Sequence, residues 1–467
     1  MAEVRIERDT LGEVEVPSGA LYGAQTQRAR DNFRISGLLP QRDYVWGMVV
    51  VKKAAALANM DTGRLDRTLG EAIVSAADEA LEGSLDDHFV IDPWQAGAGT
   101  SHNMNANEVL ANRASEILGG ERGAERKVHP NDHVNMAQSS NDTNPTAVRL
   151  GALRLAPGLL RALEGLRDAL ATKAREFDAV VKSARTHLQD AVPIRLGQEF
   201  SGYAAAVDVA LERVRHAATA LEELNIGATA AGTGMNAETE YIDRVLVHLR
   251  ELTGFDLRRS DNFFRVTQSG ADMAHLSSAL RNAAVEISRI ASDLRLLASG
   301  PRTAIAEIVL PPVQPGSSIM PGKVNPSMAE MMNMVCFQVI GCDEVCSLAA
   351  HGGQLDLNVF WPSFGFNLLF AMTLLRNGVT AFTDRCVAGI EADEERCREL
   401  MERSLMLGTA LTDYIGYEDA ARLAKKAFAE RKTIREVALE EGVMSGEQLD
   451  KVLDAAPMTE PGVPGRA

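Results

Sequence analysis

LSSALRNAAVEISRIASDLRLLASGP, residues 276–301, decides the fold class. Leu276, Leu280, Ile287, Ile290, Leu294 and Leu297 recur at the three- and four-residue spacing of one helical face, sustained over about six turns. Gly300-Pro301 then stops the pattern, because proline cannot continue a helix. Working outward, Leu159, Leu163, Leu166 and Leu170 fall on one face, with Arg161, Glu164, Arg167 and Asp168 around the rest. Val207, Leu211, Val214, Ala218 and Leu221 repeat the spacing. A further pattern starts at the cap Asn325-Pro326 and runs through Met328, Met332, Val335 and Val339.

Helices this long cannot each cover their own apolar faces, so they must bundle with one another and, by expectation, across subunits. The chain is therefore predicted to be all-α, mainly helical, around a central long-helix bundle. No repeat of solenoid period is present. Three segments are expected: a mixed helical domain over 1–140, the bundle over 141–395, and a small C-terminal helical domain over 396–467. Pro461 to Ala467 read as a loose tail.

Composition agrees. The hydrophobic fraction is 46% and aromatics only 5% of the 467 residues, with Ala, Leu and Glu plentiful, which favours helix over sheet. A net charge of −16 argues against nucleic acid and against an anionic membrane surface. An anionic substrate would need a local pocket of donors. Met1 to Asp9 carry both signs of charge and no signal-peptide core, and no stretch approaches the roughly 20 apolar residues of a membrane span. Cys336, Cys342, Cys346, Cys386 and Cys397 are an odd set in helix-like sequence, expected to be reduced core thiols of a cytoplasmic protein.

Four polar segments interrupt the apolar pattern. They are Gly97 to Asn105; His129-Pro130-Asn131-Asp132 with Ser139-Ser140-Asn141-Asp142; Arg185-Thr186-His187-Leu188-Gln189-Asp190; and Gly316 to Pro326. Each sets small hydroxyl and amide donors beside an expected helix start, where free backbone N–H groups and the positive dipole end suit a carboxylate. Ser139 to Asn141 precede Pro145, which is expected to open a helix from Thr146 onward. Ordinary N-capping explains any one segment; four in one chain favour a shared site.

The alternatives fail on spacing. Gly316, Gly322 and Lys323 imitate a phosphate loop, but five residues separate the glycines, Val324 follows the lysine, and no strand is expected before it. The segment reads instead as a mobile lid with a serine pair at its tip. His129 and His133 have Pro130 between them, there is no His-Glu-x-x-His, and Gly232-Thr233-Gly234 lacks a third glycine. No metal and no cofactor is expected.

At these residues the sequence resembles the fumarase/aspartase superfamily, from about Val4 to the C-terminus. Gly316-Ser-Ser-Ile-Met-Pro-Gly-Lys-Val-Asn-Pro326 looks like the family signature in full. The resemblance implies a homotetramer with a twenty-helix core, each active site drawing its segments from three subunits. It implies a small dicarboxylate substrate, with Ser317 as the base that takes the proton next to one carboxylate. Lys323, Asn325 and Thr186 match donors around the carboxylates, as do Ser318, Ser139, Ser140 and Asn141, with Thr100 and Ser101 nearby. His187 matches the residue beside the leaving group, held by Glu330 in a charge pair. His129, Asn131 and Asp132 are carried as a candidate second anion site.

The two activities of the family share the lid. Ala98 and Ser101, then Leu188 and Val192, and Thr267-Gln268 lean to elimination of ammonia from L-aspartate. Ser140, His129 to Asp132, and Phe200-Ser-Gly-Tyr203 lean to hydration of fumarate. Ser183-Ala184, Asn144 and Asp356 fit neither pattern. The balance predicts an aspartate ammonia-lyase, with a class II fumarase or a lyase of another substituted succinate as alternatives.

Overall fold

The long apolar stripes do form the longest helices. In the computed structural model, which describes Glu3–Gly465, they are Ser140–Glu176, Leu196–Thr219, Ala271–Leu297, Ser327–His351 and Trp361–Arg385. Met1 and Ala2, from the charged N-terminal stretch, and Arg466 and Ala467, from the expected tail, lie outside the described residues. Leu159, Leu163, Leu166, Leu170 and the whole Leu276–Leu297 stripe are buried, as are Val207, Leu211, Val214, Ala218 and Leu221. Each such Leu, Ile or Val side chain contributes about 1.5–3 kcal/mol over an exposed position. Strands are few: the described residues form four two-stranded sheets, two of them with strands longer than two residues.

The chain divides into two compact units, each assembled from separated stretches. The first comprises 1–161, 211–285 and 335–376. It contains the antiparallel hairpin Val4–Asp9 and Gly12–Pro17, and the helices Arg42–Asp61, Arg67–Glu82, Thr100–Ile117 and Thr239–Thr253. The second comprises 162–210, 286–334 and 377–467. Its C-terminal part packs Leu411, Leu423, Ile434, Val437 and Leu449 into a small core of its own. The boundaries between units fall inside the long helices.

Several local expectations are corrected. The helix predicted from Thr146 begins at Ser140, because Ser139 caps it: its carbonyl accepts from the N–H groups of Asp142 and Thr143. Pro145 then lies inside the helix and leaves the Asn141 carbonyl without its usual helical donor; Asn225 Nδ2 supplies one at 3.2 Å. A strand does precede the lid, Ile308–Val309, but it is two residues long and pairs antiparallel with Glu391–Ala392. The tail is tied down as far as Gly465, with Tyr414 donating to the Pro464 carbonyl at 2.7 Å.

Helix Ser327–His351 is long and apolar enough, by length and composition, to cross a membrane, which the sequence reading did not expect. Its surface explains the composition. Met334, Phe337, Val345 and Leu348 stand exposed at steps of three, eight and three residues, a stripe along one face. All five cysteines are free and buried.

In the second unit a buried ion cluster fixes the hairpin Val181–Thr186 and Gln189–Arg195. Glu307, fully buried, accepts from Arg185 Nη1 and Nη2 at 2.9 and 2.8 Å and lies 3.0 Å from Lys182 Nζ, which also meets Glu199 at 2.7 Å. Removing the shared anion leaves Arg185 without its carboxylate partner and the buried Lys182 with Glu199 alone. Glu307→Ala is expected to lose about 3–5 kcal/mol, read as a lower urea midpoint; an unchanged midpoint would contradict the account.

Candidate active site

Two of the four polar segments, and the chain beside a third, occupy backbone that ordinary residues avoid. Ala98, Ala137, His187, Leu188 and Thr229 all have positive φ without being glycine. Such strain persists only where the surroundings hold it, and it gathers at functional sites.

The first unit holds Thr100, Ser101, Ser139, Ser140 and Asn141. Ala98 is pinned by its N–H to the Val359 carbonyl at 2.7 Å, and with Gly99 it turns the chain into the helix that begins at Thr100. Thr100 is exposed and Ser101 buried. Across the second segment, Asn141 donates from Nδ2 to the Ala230 carbonyl at 2.6 Å, and its N–H goes to Ser139 Oγ at 3.2 Å. Asp142, fully buried, accepts from the N–H groups of Ser139, Gly227 and Thr229 at 2.9, 3.1 and 3.0 Å. It thereby stitches the donor segment to the 225–229 loop.

Beneath them lies a lysine that sequence reasoning missed. Lys52 is fully buried, and its ammonium donates to Asn103 Oδ1, Asn135 Oδ1 and Gln138 Oε1 at 2.6, 2.9 and 2.9 Å. Asn103 Oδ1 also accepts from Thr143 Oγ1 at 3.1 Å. A cation inside the run Val49-Val50-Val51-Lys52-Lys53-Ala54 was the available signal. Burial pushes the Lys52 ammonium down to about 7, opposed by the charge of Asp142; burial likewise pushes the Asp142 carboxyl up to about 7.

His129 caps the single turn Pro130–Val134, which carries Asn131 and Asp132, and all three are exposed, outside the buried network. His129 Nδ1 accepts the Asp132 N–H at 3.1 Å. No group of three or more His, Cys, Asp or Glu side chains able to hold a metal occurs among the described residues.

The second unit holds the rest. The third segment is not a helix start, as expected, but the tip of a β-hairpin: Thr186 pairs with Gln189, and His187-Leu188 form the two-residue turn. Positive φ at both turn residues is the geometry that matches strand twist in such hairpins. Thr186, His187 and Leu188 are exposed, and Arg185 ties the hairpin to Glu307.

The loop expected to be a lid is clasped at its base. Gly316 N–H donates to the Lys323 carbonyl at 2.7 Å, and Asn325 Nδ2 returns to the Gly316 carbonyl at 2.9 Å. Between these clasps Ser317 Oγ accepts the N–H groups of Ile319 and Met320 at 3.2 and 3.0 Å. Ser318 and Lys323 are exposed, and Lys323 has no ion pair among the described residues. Glu330 is half-buried in the first turn of the helix that follows. Within one chain, no ion pair joins it to His187 among the described residues.

The family model described as Lyase matches residues 12–341, and that described as Fumarase C C-terminus matches 407–460. The chain belongs to the fumarase/aspartase superfamily. Aspartate ammonia-lyase of Bacillus subtilis (strain 168) is 48% identical over 464 residues, 99% of this chain and 98% of that one. Fumarate hydratase class II 2 of Bradyrhizobium diazoefficiens is 46% identical over 459 residues, 98% and 97% of the two chains. The structure of class II fumarase from Schistosoma mansoni superposes with a TM-score of 0.94 at 38% identity, covering 98% of this chain and 99% of that. A Brucella melitensis structure described as fumarate lyase:delta crystallin gives 0.93 at 46%, covering 98% and 100%. The chain is thus a mainly helical lyase of this family, and both branches resemble it about equally.

The buried lysine has a measurable consequence. An unfolded lysine keeps its proton to about pH 10.4, whereas buried Lys52 releases it near 7. Between those values the unfolded state binds more protons, so this group makes stability rise with pH. The wild-type unfolding free energy minus that of Lys52→Met is expected to climb from pH 7 to pH 10 in urea titrations. A flat difference would contradict the burial of a neutral lysine.

Proposed function

We propose that the protein eliminates ammonia from L-aspartate to give fumarate, reversibly, with Ser317 as the general base. The observation that carries this reading is the pair of backbone N–H groups aimed at Ser317 Oγ. A serine hydroxyl is a weak base, and its alkoxide needs charge stabilisation. Two preorganised amide donors supply it without reorganisation at the moment of reaction, in the manner of an oxyanion hole.

In this mechanism the Ser317 oxygen takes a proton from the carbon next to one carboxylate. The electron pair left behind spreads into that carboxylate, which then carries two negative charges. Lys323, the remaining N–H of Asn325, and the donors Ser139, Ser140, Asn141, Thr100 and Thr186 meet that charge. Collapse of the pair forms the double bond and breaks the C–N bond, releasing ammonia beside His187, with Glu330 orienting the imidazole. Ala98, Ser101 and Leu188 support aspartate as the substrate, as does the 48% identity to an aspartate ammonia-lyase. Ser140 supports the second reading, a fumarate hydratase that releases water from L-malate.

The working form in this proposal is a cytoplasmic homotetramer with each site shared by three subunits. The exposed stripe Met334, Phe337, Val345 and Leu348 supports association, since a helix face of that kind gains by packing against another copy.

Purified protein offered L-aspartate and L-malate separately is expected to form fumarate, followed by its ultraviolet absorbance, from aspartate. Ser317→Ala is expected to lower kcat about 10²–10⁴-fold, the span of a lost general base. Fumarate from malate alone would transfer the assignment to the hydratase. Undiminished turnover in the variant would remove Ser317 from the mechanism.

A further inference from the structure

One fully buried amide joins three pieces of the first unit. Asn144 Nδ2 donates to the carbonyls of Gly99 at 3.1 Å and Ser140 at 3.0 Å. Its Oδ1 accepts the hydroxyl of Tyr44, on the helix Arg42–Asp61. The Tyr44 ring in turn stacks on His102, with centroids 4.0 Å apart and 22° between planes. The fit at the turn is close: a Cβ on Gly99 would stand 2.4 Å from Asn144 Oδ1. Gly99 also has a φ of +72°, so a side chain there would be strained as well as crowded.

The two carbonyls that Asn144 grips are not arbitrary. Gly99 immediately precedes Thr100, and Ser140 lies between Ser139 and Asn141. One side-chain nitrogen therefore holds both sets of hydroxyl and amide donors, and the planar peptide transmits its grip to the next residue on each side. Tyr44 fixes the rotation of the amide, because only the carbonyl end can accept the phenol proton. A burial this complete, with the amide's oxygen and nitrogen both engaged, specifies a distance rather than merely filling space.

We propose that Asn144 is the positioning residue that sets the gap between the Thr100–Ser101 donors and the Ser139–Asn141 donors, and with it the length of dicarboxylate the site prefers. This rests on the reading of those segments as carboxylate donors. Asn144 touches no substrate in this scheme; it acts through the backbone of its neighbours.

Calorimetric titration with malonate, succinate and glutarate tests the gap directly and needs no turnover. The full chain is used, as wild type, Asn144→Ala, Asn144→Asp and Tyr44→Phe, with melting curves to confirm folding. Wild type is expected to bind the four-carbon succinate in preference to the other two. Asn144→Ala is expected to cut the succinate-over-glutarate ratio about tenfold, the scale of an oriented buried polar contact. Asn144→Asp keeps the acceptor for Tyr44 but lacks the N–H donors, so it is expected to lose selectivity too. Tyr44→Phe keeps the ring and both donated bonds, and is expected to shift the ratio less than either. A folded Asn144→Ala that retains the wild-type ratio overturns the inference. Should both Asn144 variants fail to fold, an unchanged ratio in Tyr44→Phe overturns it. Failure of wild type to bind any of the three would overturn the carboxylate reading itself, and this inference with it.

Discussion

Long helices must cover their apolar stripes, and how far a single copy does so differs from helix to helix in this molecule. In Ala271–Leu297 the inward stripe is fully buried, which anchors the core. In Ser327–His351 the second stripe faces outward, where its apolar side chains lose their stabilisation unless another copy covers them. The same helix begins directly after the 316–326 loop, so the element with the exposed apolar stripe adjoins the loop that carries the serine proposed as base.

Long helices also concentrate polar groups at their ends, and the candidate site is made of such ends and of tight turns. Backbone in left-handed conformations at Ala98, Ala137 and Thr229 is held in place by buried polar bonds that radiate from Lys52, Asp142 and Asn144. At His187 the hold comes from the ion cluster around Glu307. An acidic chain can receive an anion in this arrangement because the donors are local and oriented, with a buried lysine below them.

The helical fold was legible because its stripes repeat over many turns, so no single residue had to be read correctly. The 316–326 loop stood out for a different reason: its string of small residues, prolines and Lys323 interrupts the apolar pattern. What escaped depended on tertiary partners. The helix start at Ser140 was hidden by Pro145, whose disruptive effect Asn225 relieves from a distant loop. The hairpin at 181–195 was missed because His187-Leu188 is not a common turn pair, and strain there is tolerated only through Arg185 and Glu307. Lys52 was invisible as a site residue because its partners Asn103, Asn135 and Gln138 lie far along the chain.

The central claim is that one site needs the lid of one copy and the donors of another. Co-expression of Ser317→Ala chains with Ser140→Ala chains tests it most directly, since each variant alone is expected to be inactive. If sites are shared between copies, some sites in the mixed assemblies combine an intact lid with an intact donor segment. Fumarate formation would then return to a measurable fraction of the wild-type rate. Activity no higher than that of either variant alone, in assemblies shown to contain both chains, would contradict a shared site.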